Sequence, residues 1–226
     1  MASESTRYSI YAVIHKALRA QMSHTLMEVG RCDWHDASER TQVLQTVEQL
    51  LQACGAHLQH ENEFIHTAME ACQPGSAAHT ATEHRGHQRV IAELAALSRC
   101  IAQTPDRTAR EDAAAQLYRQ LARFVAENYE HMEVEESHNN AVLWAGYSDA
   151  EIHAIEQRLV ASIPPEEMMG GLRWMLPYAN HTERSQLLAG MRQQAPAEAF
   201  AGVMAMLQPL LRGSERSKLE AALAVA

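Results

Sequence analysis

Two short stretches place an imidazole and a carboxylate four residues apart on what reads as helix: His57-x-x-x-Glu61 in GAHLQHENEFIH and His131-x-x-x-Glu135 in HMEVEE. At that spacing both side chains project from one helical face, so a single helix can offer a nitrogen and an oxygen to one site. By pattern these are core positions. Steps of four and three give the second helix a seam of Val43, Val47, Leu50, Cys54, His57, Glu61, Phe64 and Ala68. The fourth helix gives Leu117, Leu121, Phe124, Asn128, His131 and Glu135. The first adds Tyr11, His15, Leu18 and Met22, and the third adds His84, His87, Ile91, Leu94, Ser98 and Ile101. Every long helix therefore puts histidine on its core face.

Taking one ionised carboxylate into a dry interior costs about 20 kcal/mol in the idealised limit, and still several after relaxation. Two carboxylates facing each other demand positive charge. The seams hold no lysine or arginine, but they do hold imidazoles, which in the neutral form ligate metals. His15, His57, Glu61, His84, His87, His131 and Glu135 exceed the ligand set of one tetrahedral zinc. They suit a two-metal centre in which Glu61 and Glu135 bridge, His15 and His57 serve one ion, and His84 and His131 serve the other. The spacing of three between His84 and His87 leaves His87 open between ligation and packing. Mixed histidine and carboxylate ligation of this size favours iron or manganese. A lone inward histidine is more often a hydrogen-bonded core residue; the agreement of four seams points to metal.

The elements that must position these residues are all helical. Hairpin dipeptides and alternating runs are absent, and Ala, Leu, Gln, Glu and Arg fill long segments between Pro and Gly breaks. Helix one is expected over about residues 5 to 30. Helix two starts after Asp36, with Glu39 completing a D-x-x-E capping signal, and stops at Pro74-Gly75-Ser76. Helix three covers about 77 to 103, and helix four runs from the Thr104-Pro105-Asp106 break to about 138. The expectation is an all-α chain: an up-down four-helix bundle over residues 1–142, then a C-terminal helical extension, 143–226, packing on the bundle. Within the extension, Ser148 with Glu151, Pro164-Pro165, Asn180 with Glu183, and Pro196 each open a shorter helix. Its Met168, Met169, Met175, Met191, Met204 and Met206 read as adaptable core.

Composition narrows the function classes. A chain of 226 residues, 46% apolar, can bury a sizeable core, and its unusual feature is thirteen histidines against three phenylalanines. A net charge of -9 repels a phosphate backbone, which argues against nucleic acid. No stretch approaches the roughly eighteen apolar residues of a membrane span, and the N-terminus lacks a secretion signal, so a cytoplasmic protein is expected. The four cysteines form no C-x-x-C pair and read as reduced, mostly buried thiols, with Cys54 in a packing role. His60 and His66 fall about 60° and 180° around from His57, which suits a place behind the ligands or at the surface. Glu63 and Glu136 read as solvated charges, and His24, His35, His79, His138, His153 and His181 as non-ligands. Asn128 reads equally as a partner for a ligand or as helix packing. Tyr118 or Tyr129, if buried, could supply an electron.

His15 in IHKALR, His57 and Glu61 in HLQHE, His84 in EHRGHQRVIAEL, and His131 and Glu135 in HMEVEE resemble the hemerythrin family, the HHE cation-binding domain, over about residues 8 to 142. The resemblance implies a four-helix bundle holding two non-heme iron ions joined by an oxo or hydroxo bridge, with manganese or zinc as substitutes on purification. It implies O2 or another small diatomic molecule as ligand, or sensing or handling of NO or iron; the charge and the lack of an apolar span separately argue against nucleic acid and membrane. A homodimer or a protein partner through the C-terminal helices stays open. The O2 carriers of the family show His-x-x-x-His on the third helix and His-x-x-x-x-Asp on the fourth. This chain has His84-x-x-His87 and His131-x-x-x-Glu135, which resembles the broader HHE group and argues against a pure carrier. Two alternatives accompany this reading: a di-iron oxidase, peroxidase or iron-repair protein, and a metal-free helical module such as a phosphotransfer bundle. The last needs one exposed histidine beside basic residues.

Overall fold

In the computed structural model, which describes residues 7–225, every regular element is helical. The first long helix, α1, spans Ala12–Arg31. It begins later than expected; of the anticipated start, residues 5 and 6 lie outside the described residues, and residues 7–11 are not helical. The reason is competition for their backbone. Trp144 Nε1 donates to the Tyr8 carbonyl at 2.7 Å, and Arg7 reaches the carbonyls of Trp144 and Tyr147 and the Asp149 carboxylate.

Helix α2 (Ala37–His60) is opened by Asp36, whose carboxylate accepts from the Glu39 N–H at 2.8 Å. A single π turn, Glu61–Ile65, joins it to α3 (His66–Cys72). In the turn that follows, Gly75 adopts φ +86°, and Glu70 accepts from the N–H groups of Gly75 and Ala77. Next come α4 (Ala78–Gln103) and α5 (Arg107–Val134), the latter capped by Asp106. Instead of ending near residue 138, the fourth helix passes through a second π turn, Glu135–Asn139, into α6 (Asn140–Gly146), and α7 (Asp149–Ser162) follows.

Two compact units emerge among the described residues. The first holds residues 7–12 and Gln21–Ser162, so it continues past residue 142 to the end of α7; the second holds Val13–Ala20 of α1 and residues 163–225. In the first unit the seam residues Val47, Leu50, Leu94, Ile101, Leu117, Leu121 and Phe124 are fully buried. Beyond the π turns a second cluster forms from Ile65, Met69, Val142, Leu143, Ile152 and Ile155 with Tyr11. Here α3 and α6 touch so closely that a Cβ on Gly146 would lie 2.6 Å from Cys72 Cβ.

The second unit contains α8 (Pro165–Tyr178), α9 (His181–Gln194), α10 (Ala197–Leu207) and α11 (Gly213–Val225), each beginning at or just after a predicted break or a Gly. Its core is Leu172, Leu176, Leu188, Val203, Leu207, Leu219 and Leu223, with Met168, Met191, Met204 and Met206 packed against it; Met169 is exposed. Arg184 is the one buried Arg or Lys among the described residues, and its guanidinium donates to the carbonyls of Leu176, Pro177 and Ala179. No described helix is long and apolar enough to cross a membrane. The cysteines are all free, but only Cys54 is buried; Cys32 is half-buried, and Cys72 and Cys100 are exposed, which corrects the expectation of mostly buried thiols.

Candidate metal centre

Each π turn begins at one of the two carboxylates. The Glu61 N–H points to the carbonyls of both His57 and Leu58, and the His66 N–H returns to the Glu61 carbonyl. The Glu135 N–H likewise meets His131 and Met132, and the Asn140 N–H returns to Glu135. A π turn inserts one residue, so everything after it lags by about 100°. Burial accordingly moves from the predicted Phe64, which is half-buried, to Ile65 and Met69. The same lag swings His66 from about 180° to about 80° from His57. His66 is therefore buried: its ring stacks on His84 at 4.8 Å, and its Nε2 faces Thr80 Oγ1 at 3.1 Å.

Four helical segments converge on the carboxylates. Glu61 and Glu135 are 1% and 0% exposed. Two groups of side chains each offer ligand atoms within 4.8 Å of one another: His15, His57, Glu61 and Glu135, and Glu61, His84, His131 and Glu135. Both carboxylates are shared. His57 Nε2 lies 3.1 Å from Glu61 Oε1, and its side chain is 12% exposed, more than the others. His131 Nε2 lies 3.2 Å from Glu135 Oε1, and His84 Nε2 lies 3.4 Å from Glu135 Oε1 and 3.5 Å from Glu61 Oε2.

Hydrogen bonds on the far side of two rings settle what the near side presents. His84 Nδ1 donates to Asn62 Oδ1 at 2.9 Å, and His131 Nδ1 donates to Glu83 Oε2 at 2.8 Å. With the hydrogen on Nδ1, a neutral ring turns the Nε2 lone pair inward, and the two Nε2 atoms stand 3.0 Å apart. Two lone pairs beside two carboxylates cannot satisfy one another. A proton or a metal cation must sit where they meet. Burial would lower the His131 pKa, yet the hydrogen bond and charge of Glu135, helped by Glu83 and Glu61, raise it to about 9, a measure of how strongly the cluster calls for positive charge. The donor set, imidazole nitrogens turned lone pair inward around shared carboxylates, fits a cation-binding centre.

Every predicted site residue except His87 belongs to one of the two groups. His87 stands beside them, its ring edge-on to His131 at 4.9 Å and to Phe124 at 5.9 Å. Burial, then the neighbouring His131 and His84, push its pKa down to about 4, so it is neutral. Sequence reasoning missed Asn62 and Glu83, each adjacent in sequence to a ligand candidate but off the seam. It placed Tyr11 on the seam without giving it a role. Tyr11 is fully buried and accepts from Asn139 Nδ2 at 3.4 Å; burial and the charges of Glu135 and Glu61 hold its phenol well above the ordinary range. Tyr118 is exposed and Tyr129 half-buried with its hydroxyl on Ser23, so Tyr11 replaces both as the buried phenol. Asn128 donates to the carbonyl of Phe124 on its own helix. Burial pushes the Cys54 thiol up to about 12, consistent with packing.

A model of the hemerythrin HHE cation-binding domain matches residues 6–161. The chain belongs to the hemerythrin family. The hemerythrin match runs from ahead of α1 almost to the end of α7, and α8 to α11 lie outside it. It encloses both π turns and both ligand groups, and marks a metal-binding helical protein. Neither a curated protein nor a solved structure gives a match.

Proposed function

We propose that this hemerythrin domain holds two non-heme iron ions and uses them to bind or sense O2 or a related small molecule such as NO. The observation that carries the reading is the sharing of Glu61 and Glu135 by two imidazole groups. Two overlapping ligand sets with common carboxylates suit two adjacent ions better than one. In this reading His15 and His57 would hold one ion and His84 and His131 the other, with Glu61 and Glu135 common to both sets.

Iron held there would supply redox and Lewis-acid chemistry toward a small ligand. The chain's own residues do the rest. Asn62 and Glu83 hold His84 and His131 in the tautomer that offers Nε2. Phe124, fully buried and edge-on to His87, helps to exclude water from that ring. His87 lies outside both groups, so a small ligand could approach an ion held there without displacing it. Four free cysteines fit a reducing compartment, and the proposal places the protein in the cytoplasm.

Elemental analysis after expression in iron-rich medium should find about two iron atoms per chain, the pair implied by overlapping ligand groups. A ferrous sample exposed to O2 should gain new near-ultraviolet and visible absorption. A metal-replete sample that stays colourless would overturn the O2 reading. One observation favours a second reading, an oxidase, peroxidase or iron-handling protein: the buried Tyr11 is placed to give up an electron near Glu135 and Glu61. Repeated turnover of peroxide or ferrous iron, lowered in Tyr11→Phe, supports it; a single stoichiometric reaction does not.

A further inference from the structure

A cleft of about 440 Å³ opens on the flank of the first unit between α4 and α5. Glu83, Glu93, Glu127 and Glu130 line it, against a single lining arginine, Arg89. Arg123 pairs with Glu127 at 2.7 Å, whereas Glu93 and Glu130 make no ion pair among the described residues. The cleft also reaches inward. His87 lines it, is 6% exposed, and its buried Nδ1 has no hydrogen-bond partner. Behind His87 stands the ring of His131, and Glu83 spans from the cleft to His131 Nδ1. Gly86 forms part of the lining, and a Cβ added there would meet open space.

A buried imidazole with an unpartnered nitrogen, on the lining of an acidic cleft, has the chemistry of a cation ligand. A low-dielectric cleft lined by one sign of charge concentrates the opposite ion and speeds its arrival. We propose that this cleft is the route by which a divalent cation such as ferrous iron reaches the centre, with Glu93, Glu127 and Glu130 drawing it in and the His87 imidazole holding it in transit toward His131 and His84. The proposal rests on the reading of the centre as a metal site. It assigns His87 a transient role, consistent with its place beside both ligand groups and inside neither. No bond is made or broken other than coordination.

Stopped-flow loading of ferrous iron under anaerobic conditions into protein expressed in metal-depleted medium tests the route. The variants are the triple Glu93→Gln/Glu127→Gln/Glu130→Gln and the single Gly86→Leu, which narrows the cleft sterically at a helical position where glycine is a poor former. At low ionic strength the triple variant should load about tenfold more slowly than wild type, with the gap closing in high salt as the charges are screened. Gly86→Leu should load slowly at both salt levels, and both variants should reach wild-type iron content at the end point. His87→Gln should also load slowly to full content. Wild-type rates in the triple variant and in Gly86→Leu would overturn the route while leaving the metal centre intact. A variant at His87 that ends one equivalent short would make His87 a resident ligand and overturn its transit role. A wild-type protein that takes up no iron would remove the metal-centre reading, and the route with it.

Discussion

The two His-x-x-x-Glu turns share a spacing and a π turn, but what each turn delivers next to its carboxylate differs. After Glu61, the first brings Asn62 to His84 Nδ1 and rotates His66 onto the face of the same ring. After Glu135, the second brings Asn139 to the Tyr11 hydroxyl and Asn140 to Ser9, tying the segment ahead of α1 beneath the site. One turn therefore orients a neighbouring imidazole, and the other anchors a neighbouring chain segment. The rings differ too. His131 is backed by Glu83 and only 3% exposed, while the His57 side chain is 12% exposed. A local motif can set a donor pair; the residues just off its seam set how firmly each ring is held.

Replacing a shared carboxylate should give the largest effect. Glu135→Ala is expected to lose most bound metal from both ligand groups, and with it the metal-linked stabilisation, about 3 kcal/mol when free metal is a hundredfold above Kd. Elemental analysis and thermal melts with and without added iron would show it; retention of both ions in Glu135→Ala would mean the carboxylate is not shared. The groups behind the rings come next. Glu83→Gln should weaken metal binding about 10- to 100-fold by lowering the basicity of His131, and Asn62→Ala about tenfold through His84. Competition with a chelator measures both, and negligible shifts in both would mean that Glu83 and Asn62 do not tune the rings they touch.

The arms that follow the two π turns meet at Gly146 and Cys72. Gly146→Ala forces its Cβ against Cys72 Cβ and should destabilise the protein by about 1–3 kcal/mol in urea unfolding. An unchanged midpoint would show that α3 and α6 can part without cost. The smallest effect concerns acid. Glu70, in the arm after the first turn, has its pKa lowered by the N–H groups of Gly75 and Ala77. A lowered folded-state pKa adds stability that is fully present above the unfolded value and is lost as pH falls through the folded one. Glu70→Gln should therefore flatten the loss of stability below about pH 4.5, the ordinary glutamate range. The same acid limb in variant and wild type would remove Glu70 from the cause.

Much of the site was legible because burying charge is costly. Histidine and glutamate recurring on apolar seams required a compensating arrangement, and the spacing of four named the pairs. The structure brings His15, His57, Glu61, His84, His131 and Glu135 into two overlapping groups. Helix stops and caps at Asp36, Asp106 and Asn180 were legible as well, since each depends on a few adjacent residues. His66 was expected behind the ligands or at the surface, and it does stand behind His84; its angle was missed because extrapolating 3.6 residues per turn through Glu61 ignores the inserted residue. Tyr11 was expected in the core, but its neighbours Glu135 and Glu61 come from distant parts of the chain.

By itself the sequence determined the helical class, the seams and the types of donor, because periodicity and residue chemistry are local properties. The tertiary structure alone decided which donors share a carboxylate, which ring nitrogen faces inward, and where the two π turns shift the register. Those outcomes depend on distances between helices and on hydrogen bonds such as His131 to Glu83, made by residues 48 positions apart. No pattern along one helix encodes such a distance.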